Sequence, residues 1–120
     1  MYIFLDDYRV PSDVKWIALP PRPDGSWTIV RSFEELKELL GTLDEAPEFI
    51  AFDHDLADAH YNGDFSNPDE KTGYDCAKLV ASMAFHKWKT IPPYVVHSLN
   101  PIGKKNIEMF LENARKHLGS

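Results

Sequence analysis

The 120-residue sequence predicts an α/β domain on a mostly parallel four-stranded sheet, with the strands in the order 2-1-3-4. Three observations carry that prediction. Tyr2–Leu5, Phe49–Phe52 and Tyr94–Val96 are short apolar runs without alternation, the pattern of strands buried on both faces. Segments of helical period separate or follow them, and strand–helix–strand units joined right-handedly give parallel strands covered on both faces. Each of the three runs also empties into polar residues, respectively Asp6-Asp7, Asp53-His54-Asp55 and His97-Ser98. Charged groups are rarely buried without partners, and ligands in open α/β sheets lie outside the carboxyl ends of the strands. The three polar ends are therefore expected to converge on one metal- and phosphate-binding centre.

The first strand is Tyr2–Leu5, followed by Asp6, Asp7, Tyr8 and Arg9. Residues 10–26 contain Pro11, Pro20, Pro21, Pro23 and Gly25 and are too broken for a helix. Two readings of this stretch stand. Trp16–Leu19 pairs with Trp27–Val30 as a hairpin across the Pro23-Asp24-Gly25 turn, or the stretch is an ordered loop pinned by Trp16. A second strand is expected over 27–31. Ser32-Phe33-Glu34-Glu35 is a capping box that opens a helix. Its buried face is Phe33, Leu36, Leu39 and Leu40, and Gly41 is its expected stop. The third strand is Phe49–Phe52. Residues 56–72 form a long polar loop, and loops of that length are usually functional or disordered. Tyr74–Trp88 has helical period with Ala77, Val80, Ala81, Ala84 and Trp88 inward. Ile91-Pro92-Pro93 leads into the fourth strand. Asn100 then caps a last helix with Pro101 at its first position, where the missing amide costs nothing. Ile107, Phe110, Leu111, Ala114 and Leu118 form its buried stripe.

This length fits one domain with a real core over residues 1–120 and leaves no room for a second. The net charge of −6 argues against an extended nucleic-acid surface, though not against a nucleotide or an RNA end held locally. One cysteine, Cys76, excludes an internal disulfide and fits a reducing cytoplasm. It reads as a packed thiol. No apolar run approaches the ~20 residues that cross a bilayer, and no leader precedes the first strand. The expected location is cytoplasmic.

Adjacent strands lie ~4.8 Å apart, so this strand order brings Asp6, Asp7 and Asp53 into one volume. Crowded carboxylates raise one another's pKa unless a cation neutralises them. Oxygen ligands suit a hard divalent ion such as Mg²⁺, which keeps waters and recruits substrate phosphate. Asp55 is a further candidate ligand; the plainer reading is that Asp6 and Asp55 cap loops. At the fourth strand's end, Ser98, Asn100 and Lys104 surround a helix N-terminus whose free amides and dipole favour an anion. Arg9 either clamps a phosphate in two-pronged fashion or pairs with Asp7. His97 is the candidate general acid–base, against a role in ordering the loop. His54 reads as orienting or structural, and His60, His86 and His117 as surface. Asp58, Asp64, Asp69 and Glu70 read as a solvated loop, and the tryptophans as core or loop anchors.

Taken together, LDDYR near the start, FDHDL after the middle strand, TGYD opening the next helix and VHSLNPIG before the last resemble the cyclic-phosphate-processing receiver-like domains. These are small bacterial and phage proteins related to response-regulator receivers. The resemblance spans nearly the whole chain and departs from the pattern in the proline-rich stretch 10–26 and the loop 56–72. It implies a receiver- or flavodoxin-like three-layer fold. It also implies Mg²⁺ or another divalent cation at Asp6, Asp7 and Asp53, and a hydroxyl role for Ser98. Receivers carry a fifth strand ending in lysine, which this chain lacks; Lys104 is a substitute to consider. FIAFDHDL and VVHSLN also resemble the motifs of haloacid-dehalogenase-type phosphatases, but in permuted order.

Two functions follow. The first is a metal-dependent phosphoesterase or phosphotransfer domain acting on a cyclic or terminal phosphate of a nucleotide or RNA end. In it Asp53 and His97 are catalytic, Asp6, Asp7, Asp53 and Asp55 hold the metal, and Arg9, Ser98, Asn100 and Lys104 grip phosphate. The alternative is a receiver-like signalling module that binds phosphate or nucleotide without turnover.

Overall fold

A computed structural model describes residues 1–53 and 72–119 of the chain. Strands β1 (Tyr2–Leu5), β2 (Thr28–Val30), β3 (Phe49–Phe52) and β4 (Tyr94–Val96) form one sheet in the order β2-β1-β3-β4, as the sequence predicts. Every neighbouring pair is parallel. Helices α1 (Phe33–Gly41), α2 (Gly73–Met83) and α3 (Pro101–Gly119) complete the architecture, and no fifth strand occurs among the described residues. No helix is long and apolar enough to cross a membrane.

The register aligns Leu5 with Val30 and Phe52, and Phe52 with Val96, in a single row across the sheet. The next row, at the carboxyl edge, is therefore Asp6, Arg31, Asp53 and His97. Three backbone bonds carry the ladder into it: Asp6 N to Val30 O, Asp53 N to Leu5 O and His97 N to Phe52 O, at 2.8–3.1 Å.

The two faces of the sheet are covered by different material. Ile3, Leu5, Ile50, Phe52 and Val96 pack with Leu36, Leu40, Val80, Ile107 and Leu111, so all three helices share one face. On the other face Phe4 and Ala51 pack with Val14 and Trp27, joined by Ile17 and Leu19 of the proline-rich stretch. Right-handed connection explains the division. The β2–α1–β3 and β3–α2–β4 units advance in one direction across the sheet and deposit their helices on one side. The step from β1 to β2 runs the opposite way, so its connection falls on the far side. With four prolines between 11 and 23, that connection forms only two short 3₁₀ turns, Pro11–Asp13 and Asp24–Ser26, and no α-helix. The third layer of this fold is thus a loop.

The hairpin reading of residues 16–30 fails. β2 pairs parallel with β1, and Trp16–Leu19 is not a strand. The pinned-loop reading holds instead: the Trp16 indole donates to the His97 carbonyl at 2.7 Å. Ser32 accepts from the Glu35 amide as the capping motif predicts, but the Glu35 carboxylate reaches back to the Arg31 amide. Gly41 lies inside α1, and the cap is Thr42. The 74–88 helix loosens at Ala84–Trp88 into one π-helical turn that ends on Lys89 at φ 64°. Ala84 and Trp88 stay buried through it, so the inward stripe is kept. Asn100 caps α3 by accepting from Gly103 N at 3.0 Å.

Cys76 is fully buried in α2, and burial followed by the nearby Asp75 charge pushes its thiol up to about 12. The thiolate is the reactive form. Native protein at pH 8 should therefore resist labelling by a disulfide reagent, with full reaction only after denaturation. A raised folded value also means that this group's contribution is complete below 9.0 and is lost as pH rises toward 12. Rapid stoichiometric labelling of the native chain would show the α2 core to be open.

Candidate active site at the carboxyl edge of the sheet

Strand periodicity decides which of the edge residues meet. Side chains alternate faces, so with Leu5, Phe52 and Val96 on the helix side, Asp6, Asp53 and His97 turn together to the loop side. All three are buried. Each offers a ligand atom within 4.8 Å of the other two. Asp7, the other member of the opening pair, is half-buried and stands outside this trio, because the same alternation turns successive residues apart.

Asp6 is the hub. Its Oδ1 accepts from the amides of Tyr8 and Arg9 at 3.0 and 2.9 Å. Its Oδ2 lies 3.0 Å from His97 Nε2 and 3.5 Å from an Arg9 guanidinium nitrogen. Burial by itself pushes this carboxyl up, but the His97 hydrogen bond, the two amides and the His97 charge outweigh it and hold Asp6 well below the usual range. Loop capping and ligand candidacy are thus both true of Asp6. Arg9 pairs here with Asp6.

The His97 ring is fully buried and stacked on Phe4, with centroids 4.6 Å apart and planes 7° from parallel. Its carbonyl takes the Trp16 indole bond. With Nε2 committed to Asp6, Nδ1 is a buried atom without a hydrogen-bond partner among the described residues. Asp6 thereby fixes the ring's orientation, as a carboxylate does for a working imidazole.

Beside His97, the Ser98 hydroxyl oxygen accepts from Asn100 N at 3.0 Å, and Asn100 Oδ1 is taken up by the Gly103 amide. Lys104, in the first turn of α3, is half-buried. Its amide bonds to the Asn100 carbonyl. Ser98, Asn100 and Lys104 therefore share one strand-to-helix turn adjoining the trio. His54 and Asp55 lie outside the described residues, as do His60, Asp58, Asp64, Asp69 and Glu70. His86 and His117 are exposed.

Sequence reasoning missed Arg31. It follows β2 in the same edge row and donates to the carbonyls of Asp6 and Arg9, tying the loop after β1 to the sheet. The available signal was positional, since Arg31 is the residue at which β2 ends just as Asp6 and Asp53 are for their strands.

The donor set fits a divalent cation. Two buried carboxylates supply hard oxygens, and His97 offers an imidazole nitrogen in the same group. In this group His97, rather than Asp7, stands with the two carboxylates.

The chain's relationships agree with this geometry. A family model described as the cyclic-phosphate processing receiver domain matches residues 1–113. No curated protein and no solved structure matches the chain.

Proposed function

Because this chain belongs to the cyclic-phosphate processing receiver domains, we propose that it is a divalent-metal-dependent phosphoesterase or phosphotransfer domain acting on a cyclic or terminal phosphate of a nucleotide or RNA end. The observation that carries the reading is the buried Asp6–Asp53–His97 group at the ends of three adjacent parallel strands. Asp6 meets Arg9 and His97 there, and Asp53 places a second buried carboxylate in the same group.

In this reading Asp6 and Asp53 would hold Mg²⁺ or Mn²⁺, with Asp7 and Asp55 as further candidate ligands. When bound, the cation supplies charge stabilisation at the phosphate oxygens and the leaving oxygen. His97 moves the proton at Nδ1, its other nitrogen being fixed by Asp6. Ser98, Asn100 and Lys104 orient phosphate oxygens at the head of α3, where free amides and the dipole add to the lysine charge. With a cation held at Asp6, the Arg9 guanidinium would be available to a phosphate oxygen.

The test is turnover. A panel of 2′,3′-cyclic and 3′,5′-cyclic nucleotides with Mg²⁺ or Mn²⁺ should yield ring-opened product from at least one class, and His97→Gln should slow that reaction by ~10²-fold or more. No product from any compound, together with labelling of Asp53 by acetyl phosphate, would favour the receiver-like signalling role.

A further inference from the structure

We propose that Tyr8 and Trp16 form a base-stacking platform beside the phosphate site, so that the ligand is a nucleotide rather than a sugar phosphate without a base; this rests on the phosphate reading above. Both rings are large and apolar, yet Tyr8 is 62% and Trp16 42% exposed. Single exposed apolar side chains are ordinary. These two are not scattered. The Arg9 guanidinium lies 4.5 Å from the Tyr8 ring centre and 5.2 Å from that of Trp16, and the same group is 3.5 Å from Asp6 Oδ2. One arginine head thus links both rings to the acidic centre, and both stand within a side chain's length of it.

Trp16 is also held in place. Its indole nitrogen is bonded to the His97 carbonyl, so its polar edge is satisfied inside while much of the ring faces outward. A fixed ring presents a π-face without the entropy loss of ordering a free one. Flat rings beside a cation, next to a site that grips phosphate, are the recurring means of holding a base whose identity is not read. The net charge of −6 is unsuited to a long nucleic-acid track, so the platform fits one terminal or free nucleotide.

Affinity for adenosine 2′,3′-cyclic phosphate and for methyl riboside 2,3-cyclic phosphate, each measured calorimetrically with Mg²⁺, tests this. The pair shares the sugar and the cyclic phosphate and differs only in the base. The nucleotide should bind about 5- to 100-fold more tightly, and Tyr8→Leu and Trp16→Leu should each pull that ratio toward one. Trp16→Phe, which keeps a ring but loses the indole bond, should retain most of it. Thermal melts check that each variant folds; should Trp16→Leu not fold, the exposed Tyr8 carries the test. Equal binding of the two compounds, or a ratio unmoved in both leucine variants, overturns the platform and leaves the phosphate site standing. Failure of both compounds to bind overturns the two readings together.

Discussion

His97→Phe lowers the stability of the metal-free protein by about 3–5 kcal/mol, seen as a fall of roughly 12–20 °C in melting temperature for a chain of this size. Phenylalanine keeps the stack on Phe4, so packing changes little. What is lost is the Nε2 partner of Asp6, a fully buried carboxylate that then has only two amides and the more distant Arg9. An uncompensated buried charge is among the costliest single defects. Asp6→Asn in the same chain removes that charge and should restore part of the loss, giving a coupling of about 1 kcal/mol or more in the double-mutant cycle. Simple additivity would mean that the pair is not a unit. The acid limb carries the same signature. Asp6's folded value lies below its ordinary 3.8, so below that pH the unfolded chain binds the extra proton. The stabilisation is present above 3.8 and is lost as pH falls toward the depressed value. His97→Phe, with fewer partners holding Asp6 down, should lose less over that window in urea melts with a chelator present.

The second large effect concerns the cation. Mg²⁺ or Mn²⁺ at about 100 times its Kd should stabilise the wild-type chain by ~2.7 kcal/mol, or roughly 10 °C. Asp53→Asn and Asp6→Ala should abolish the shift, because they remove the two buried carboxylates of the trio. Asp7→Asn, from outside the trio, should keep the greater part. A full shift in Asp53→Asn would detach the metal from this edge of the sheet.

Much of this architecture is readable before any coordinates. Unalternated runs such as Phe49–Phe52 mark strands buried on both faces, and Asn100-Pro101 marks a helix start; both rest on local chemistry that a few residues contain in full. The carboxyl-edge rule then points to a candidate site at three polar strand ends, Asp6-Asp7, Asp53-His54-Asp55 and His97-Ser98. Less local outcomes were out of reach. Glu35 reaches Arg31 rather than Ser32, and the turn at Pro23–Gly25 closes no hairpin, because Ile17 and Leu19 pack over the face of the sheet against the Phe4–Trp27 cluster while Trp16 bonds to the His97 carbonyl.

Apolar period, caps and prolines act over one or two turns of chain, so the strands, the helices, their order and the residues able to do chemistry are legible in the residues themselves. Tertiary structure alone decided that His97, and not Asp7, joins Asp6 and Asp53, and that Arg9 and Arg31 brace the loop between them. The physical reason is register. Three strands far apart in sequence must align to within one residue, and a side-chain period of two then sends Asp6, Asp53 and His97 to the same side of the sheet.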